Sequence, residues 1–258
     1  MDTKQQGLIM TECALTPKEN REQLTMLCFE KFCIPAMYLA NRNVMSLYGN
    51  GYVTGCSVNS GDSITTLVPV YEGFALKHAS KRMDIGGHDL TMYLIKLLIS
   101  EKGYLMTGGM SLIPIIQHIK ETLCFVSNDF EREMNMSKSI EKTYELPDEM
   151  LITLDKESIQ TSQPLFDPNF IPRDNDMDGL HSEIYHSVLK CDLDLRKELF
   201  STISLSGGNC QRHGIEKRLE RELQLLVPPS LIQCVKLVDE RSRPHCMDVS
   251  HIVHRKWF

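Results

Sequence analysis

The 258-residue sequence predicts an α/β fold, because two kinds of signal alternate along it: apolar stripes at helical spacing, and short β-prone runs bounded by glycine turns. The clearest helix starts near His88-Asp89. There Leu90, Tyr93, Leu94, Leu97 and Leu98 fall at i, i+3, i+4, i+7 and i+8, a full core-facing stripe, and Gly103 is placed to end it. The clearest strands are residues 54–60 and 63–71, which flank Gly61-Asp62 and read as a hairpin.

The other elements follow in chain order. Thr16-Pro17-Lys18-Glu19 predicts a helix start, with Thr16 capping, Pro17 at the first helical position and Glu19 completing a capping box; Leu24, Leu27 and Cys28 then give one apolar face. After Pro35, residues 36–48 read as a buried strand followed by a short helix, stopped by Gly49-Asn50-Gly51. Residues 111–125 are helical in pattern, and Pro114 requires that helix to begin close by. Residues 142–146 and 150–154 read as a hairpin around Pro147-Asp148-Glu149. From Gln160 to Gly179 the chain is polar and rich in Pro and Asp, which predicts a loop crossing between lobes. Residues 180–189 and 194–199 are helical candidates, and residues 203–205 are a short strand running into Ser206-Gly207-Gly208. A helix carrying Ile215, Leu219, Leu223 and Leu226 then runs up to Pro228-Pro229, and residues 231–238 complete the set as a strand.

Composition narrows the function classes. A content of 42% hydrophobic and 24% charged residues is that of a soluble globular protein, and the length supports a sizeable core. The net charge of -6 argues against generic binding to nucleic acid or to anionic membranes. Residues 1–21 are polar and lack the basic-then-apolar order of a secretory signal, and no apolar run is long enough to span a bilayer, so an intracellular protein is expected. The nine cysteines are odd in number, scattered, and without a Cys-x-x-Cys, which fits reduced thiols. Cys124 falls on an apolar helix face and reads as core packing. His245, Cys246, His251 and His254 match no tight zinc spacing, and the acidic residues at 174, 176 and 178 lack the glycine and final glutamate of a calcium loop.

Two glycine turns at strand ends, Ser60-Gly61-Asp62 and Ser206-Gly207-Gly208, could bring backbone N–H groups close to phosphate oxygens. Alone, each is better read as an ordinary turn. Their company is more specific. Pro35-Ala36-Met37-Tyr38, Ser46-Leu47-Tyr48, Ser60-Gly61-Asp62, Val68-Pro69-Val70-Tyr71-Glu72-Gly73, Asp89-Leu90-Thr91, Ile119-Lys120-Glu121, Leu123-Cys124, Tyr144-Glu145-Leu146-Pro147-Asp148, Lys190-Cys191-Asp192 and Leu205-Ser206-Gly207-Gly208 occur in one order, and the chain closes on Ile252-Val253-His254-Arg255-Lys256-Trp257-Phe258. In this the sequence resembles the C-terminal two-thirds of an actin, from about residue 15 to 238 and again over the last seven residues.

The resemblance implies the actin-like, ribonuclease-H-like ATPase fold: two α/β lobes around a cleft for Mg-ATP. The expected division is a remnant of the small lobe at 1–48, the large lobe at 49–238 with an inserted subdomain at about 86–176, and a divergent tail at 239–258. Residues 54–71 match the family's second phosphate hairpin. Asn59, Ser60, Gly61 and Asp62 on it, Lys120 and Glu121 at the adenosine end, and Gly207 and Gly208 on the large lobe are thereby expected to bind nucleotide. ATP or ADP with Mg is the implied cofactor, held weakly, the alternative being none.

Three positions depart from the family pattern. Asn59 stands where an Asp holds the metal's water shell, Arg42 where a Gln orients the attacking water, and Thr66 where a His relays a proton. Asn59 keeps the shape but not the charge, Arg42 lacks an acceptor for water, and Thr66 is no base near neutral pH. No catalytic residue is therefore assigned. Ser63 also replaces the glycine that follows Asp62. The chain has no match to the family's first phosphate hairpin or small outer subdomain, and residues 242–250 match nothing in actin. Leu24, Leu27, Phe29 and Tyr38 are accordingly expected to lack their usual cover.

The function implied is an actin-like cytoskeletal structural or interaction protein that neither hydrolyses ATP nor forms conventional filaments. Its expected partners are actin or other cytoskeletal proteins, or an actin-related assembly, with no direct nucleic-acid contact. Its expected location is the cytoplasm and cytoskeleton, with the nucleus as a second compartment, and a male germ-line role follows from resemblance only. The alternatives are a weak Mg-ATP-binding ATPase of the same superfamily, and a decayed or alternatively spliced product.

Overall fold

Helices and strands alternate in the computed structural model, which describes residues 6–103, 112–135, 141–146, 151–172, 177–232 and 234–239. The expected Pro147-Asp148-Glu149 turn, residues 174 and 176 of the acidic run, and the His/Cys-bearing tail lie outside the described residues.

The chain opens with strand β1 (Leu8–Glu12), which the sequence reading missed, paired in parallel with β2 (Met37–Asn41). Between them runs helix α1 (Lys18–Met26), continued by a π-helical turn (Leu27–Lys31). Its start differs from expectation. Pro17 rather than Thr16 is the N-cap, no side chain caps it, and the Thr16 hydroxyl donates instead to the Cys13 carbonyl at 2.7 Å. Threonine's short hydroxyl serves whichever backbone group lies nearer, and here that is behind it. Helix α2 (Arg42–Gly49) is capped by the Asn41 side chain, which accepts from the Asn43 N–H.

Strands β3 (Gly55–Ser60) and β4 (Thr65–Tyr71) form the expected antiparallel hairpin, with a four-residue turn of Gly61 to Ile64 where the sequence suggested two. Short strands β5 (Phe74–Ala75) and β6 (Lys81–Met83) both pair with β4. Pro69 lies between these two pairings. Its carbonyl accepts from Leu76 N–H on that same side, so the missing proline N–H falls in the gap where no ladder bond is lost.

Helix α3 (Gly87–Lys102) carries the predicted stripe, ends at a left-handed Gly103, and has the Asp89 carboxylate accepting from the Gly86 N–H at its start. Helix α4 (Ile113–Leu123) has Pro114 in its first turn. A short α5 (Phe130–Asn135) follows, then β7 (Lys142–Glu145) antiparallel to β8 (Leu151–Leu154), then α6 (Glu157–Gln160). The stretch after Gln160, expected as a loop, carries buried apolar residues. Two 3₁₀ turns, Gln163–Leu165 and Pro168–Phe170, thread Leu165 and Phe166 into the main core. The prolines there open compact turns, and two apolar residues suffice to anchor the segment.

Helices α7 (Leu180–Leu189) and α8 (Leu193–Ser201) lead to β9 (Ile203–Ser206), and α9 (Ile215–Leu226) follows its glycine turn. The last expected strand is shorter. Pro229 opens a single helical turn, α10 (Pro229–Ile232), and only β10 (Leu237–Asp239) is extended. Proline fits a first helical turn as readily as it ends a helix.

The main sheet runs β10-β9-β3-β4-β5, with β9 parallel to both β3 and β10. It is covered on both sides. Cys56, Val58, Leu67 and Leu205 pack with Ile184, Leu199, Phe200, Leu219 and Leu223 of α7, α8 and α9, while Val68 and Val70 turn the other way onto Val44 and Leu47 of α2. That is the period-two alternation of a strand serving two cores. A separate cluster joins Leu94 and Leu98 of α3, Ile116 and Ile119 of α4, and Ile152 and Leu154 of β8. No helix among the described residues is long and apolar enough to cross a membrane.

Candidate functional site

The β3–β4 hairpin and the β9 turn meet at their glycines. Parallel pairing of β9 with β3 sets Ser206 opposite Asn59, so both chains leave the sheet at the same edge. Gly207 takes φ +88°, and a Cβ there would stand 2.3 Å from the Ser60 carbonyl oxygen. Only glycine allows the two turns to come this close. Asn209 then locks them, its Nδ2 donating to Ser60 Oγ at 3.1 Å and to the Gly61 carbonyl at 2.8 Å.

The hairpin turn also docks on the start of α3. The N–H groups of Gly87 and His88 donate to the Gly61 and Asp62 carbonyls at 2.9 and 2.8 Å. Thr65 shares a hydroxyl bond with Ser60 at 2.8 Å and donates to the Ile85 carbonyl at 2.8 Å. Because α3 receives the turn at its own N-terminus, helix and hairpin backbone dipoles converge on one spot.

Helix α4 supplies the third wall. Lys120 is buried, with Nζ donating to the Gly87 carbonyl at 2.7 Å and to Thr91 Oγ1 at 2.9 Å. Burial, and then the nearby Arg212 guanidinium, pull its pKa down to about 8. Arg212 follows the 3₁₀ turn Gly208–Gln211 and is itself buried, its Nη1 donating to Ser162 Oγ at 2.8 Å. Burial lowers its pKa as well. Cys124 beside them is buried, with its thiol pushed up by desolvation, as its expected packing role requires.

These walls enclose a cleft of 730 Å³, within the range of small-molecule sites. Of the residues expected to bind nucleotide, Gly61, Asp62, Lys120, Glu121 and Gly208 line it. Asn59, Ser60 and Gly207 lie behind the lining. Asn59 Nδ2 donates to Ser206 Oγ at 2.9 Å, and Ser206 Oγ donates onward to the Val58 carbonyl at 3.1 Å. Ser60 is fully buried between Thr65 and Asn209.

The two other departures from the family pattern are placed differently. Thr66 Oγ1 is buried and donates to Asn43 Oδ1 at 3.0 Å, while Asn43 Nδ2 donates to the Ser57 and Thr66 carbonyls at 3.1 and 3.3 Å. Arg42, one residue earlier at the start of α2, is exposed.

A phosphate chain fits the glycine-lined end. A Cβ on Gly208 would meet nothing within 4 Å, so the backbone there is open to the cleft, and the buried Lys120, bonded to the Gly87 carbonyl, lines the same cleft. A divalent cation fits only in company with phosphates. Asp62 is the sole carboxylate lining the glycine end, and no group of three or more His, Cys, Asp or Glu suited to a metal occurs among the described residues. Asn209, Arg212, Phe125 and Lys142 also line the cleft and were not singled out from the sequence. A basic residue shortly after a strand-end glycine turn was the available signal for Arg212.

A family model described as Actin matches residues 1–247 of the chain.

Proposed function

The chain belongs to the actin family, and from that premise we propose that it serves as an actin-like structural or interaction subunit that holds a nucleotide without hydrolysing it. The observation that carries this reading is the use of Asn59 and Thr66 as internal joints. Asn59 ties β3 to β9 through Ser206, and Thr66 ties the hairpin to α2 through Asn43. Asn59 brings no charge to hold a metal's water shell, and the Thr66 hydroxyl, which donates to Asn43, is no base near neutral pH. Hydrolysis of a phosphoanhydride depends on positioned water and on charge stabilisation, and Arg42 presents donors only.

What is retained is binding chemistry: the cleft, the glycine turns, Asp62 and Lys120. Bound nucleotide would supply phosphate oxygens for the Gly61 and Gly208 backbone, and Mg²⁺ would neutralise those phosphates with Asp62 nearby. The division into a small-lobe segment at 1–48, a large lobe at 49–238 and a tail at 239–258 belongs to the same reading. So do actin or other cytoskeletal proteins as partners and a place in the cytoplasm and cytoskeleton. The same reading has the chain not forming filaments of the actin type.

The test has two parts. Thermal unfolding of the full chain should shift upward with millimolar Mg-nucleotide, as for any ligand that binds only the folded state, while phosphate release from Mg-ATP should stay at the buffer rate. Turnover above background that disappears in Asp62→Ala would overturn the non-hydrolysing reading. Salt-induced sedimentation into ordered filaments would overturn the assembly part.

A further inference from the structure

The strand pair at the start of the chain is built like an unfinished sheet. Among the described residues β1 pairs with β2 alone, and the pairing is parallel. Parallel pairs are the less stable kind, and two strands by themselves are marginal in water. The register fixes which backbone groups are left over. Leu8 N–H donates to the Ala36 carbonyl at 2.8 Å. Alternate residues of a parallel strand face its partner, so Leu8, Met10 and Glu12 turn their N–H and C=O groups to β2. Those of Ile9 and Thr11 point the other way and make no backbone bond among the described residues. Ile9 is 38% exposed and Thr11 is exposed as well, so this edge is open to water. Residues 8–12 hold neither lysine nor proline, the residues that commonly keep an open edge from pairing.

We propose that this edge pairs with the same edge of a second copy, β1 antiparallel to β1 about a two-fold axis, so that a homodimer carries one sheet of order β2-β1-β1-β2. The pattern of the edge selects that occupant. With the axis at Met10, Ile9 of each copy lies opposite Thr11 of the other. Each such pair exchanges two N–H···O bonds, and four bonds satisfy every outward group of Ile9 and Thr11 in both copies. An axis at Ile9 or at Thr11 would leave the other outward residue paired beyond the end of the strand. Charge agrees with the same axis. Glu12 falls opposite Leu8, so no like charges meet, and Glu12 is already paired with Arg21 of α1 at 2.6 Å. That ion pair places Glu12, and with it Leu8 and Met10, on the helix side of the sheet, and Ile9 and Thr11 on the other. Ile9 is in register with Tyr38, which is 56% exposed, and Thr11 with Ala40. The joined sheet therefore sets Tyr38 and Ile9 of one copy in a row with Thr11 and Ala40 of the other, the kind of cross-strand neighbours that stabilise a sheet. The inference does not depend on nucleotide binding.

The experiment is sedimentation velocity of the full chain across a concentration series, with hydrogen exchange over residues 8–12 measured at the lowest and highest concentrations. The expected result is a monomer–dimer equilibrium in which two further amides of that segment, Ile9 and Thr11, become protected as the dimer fills. Thr11→Pro separates this edge from any other contact. The Thr11 N–H is not used within the sheet, so proline is tolerated there, while the dimer loses two of its four bonds. It should weaken by at least about tenfold, with the unfolding midpoint of the dilute chain little changed. A chain that stays monomeric throughout, a dimer that leaves residues 8–12 unprotected, or one that Thr11→Pro does not weaken would overturn the proposal. If Thr11→Pro does not fold, the exchange result on the unaltered chain decides alone.

Discussion

Gly207 is the residue at which substitution should be least tolerated for backbone reasons alone. Its φ of +88° disfavours any side chain, and the added Cβ would meet Ser60 backbone that is itself held in the β3–β9 pairing. Gly207→Ala is expected to cost about 2–4 kcal/mol, read as a lower urea midpoint with an unchanged slope. Lys120 makes a prediction about pH. Its folded pKa, near 8, lies below the ordinary 10.5, so between those values the unfolded chain binds a proton that the folded chain does not. Stability therefore rises with pH through that window. Two buried thiols act oppositely. Burial raises Cys56 to about 12 and Cys191 to about 11 from an ordinary 9, so above pH 9 the folded chain keeps protons that the unfolded chain releases, and stability falls. The thiols already oppose the lysine as pH nears 9, so its part is read as a difference: from about pH 8 to 9 the unfolding free energy of Lys120→Met should rise less, or fall more, than that of the unaltered chain.

At the scale of elements, the hairpin is held to its neighbours by a few buried amides rather than by packing alone. Asn43 on α2 bonds to both β3 and β4, and Asn50 at the end of the same helix donates to Ser204 Oγ on β9 at 2.8 Å. Asn43→Ala would leave the Thr66 hydroxyl and two carbonyls without their partner, at a cost of about 2–4 kcal/mol by the usual penalty for buried unsatisfied groups. Denaturant titration checks this, and a loss under about 0.5 kcal/mol would show the joint to be idle. These elements differ in how clearly the sequence announced them. The α3 stripe was legible because five apolar residues at helical spacing admit one packed arrangement. Strand β1 was not, since Leu8, Met10 and Glu12 alternate weakly and take meaning only from the parallel partner β2. In the segment after Gln160 the polar composition hid the two residues that reach the core, Leu165 and Phe166.

Across the whole molecule, the N-terminal segment leaves an apolar face uncovered. Phe29, Phe32 and Tyr38 are 44%, 49% and 56% exposed, and Met26 and Leu27 are exposed as well. Exposed apolar surface of this kind favours association. The double change Phe29→Ser with Phe32→Ser is expected to reduce self-association in sedimentation velocity while moving the unfolding midpoint little, because neither ring is buried in the core. Leu27, Phe29 and Tyr38 are exposed as expected, although Leu24 is half-buried. The family, the α/β class and the paired glycine turns were legible too, because each rests on local chemistry: residue words in order, periodicity, and the freedom of a missing Cβ. Which glycine-turn residues face the cleft and which support it from behind was not. Asn59 and Asp62 sit three positions apart on one hairpin, yet one is a strut and the other lines the cleft. Arg212 and Glu121 share a wall although they are remote in sequence. Only the tertiary structure decided these placements, because they depend on β9 lying parallel to β3 and on α4 closing over the turn, long-range pairings that no local pattern encodes.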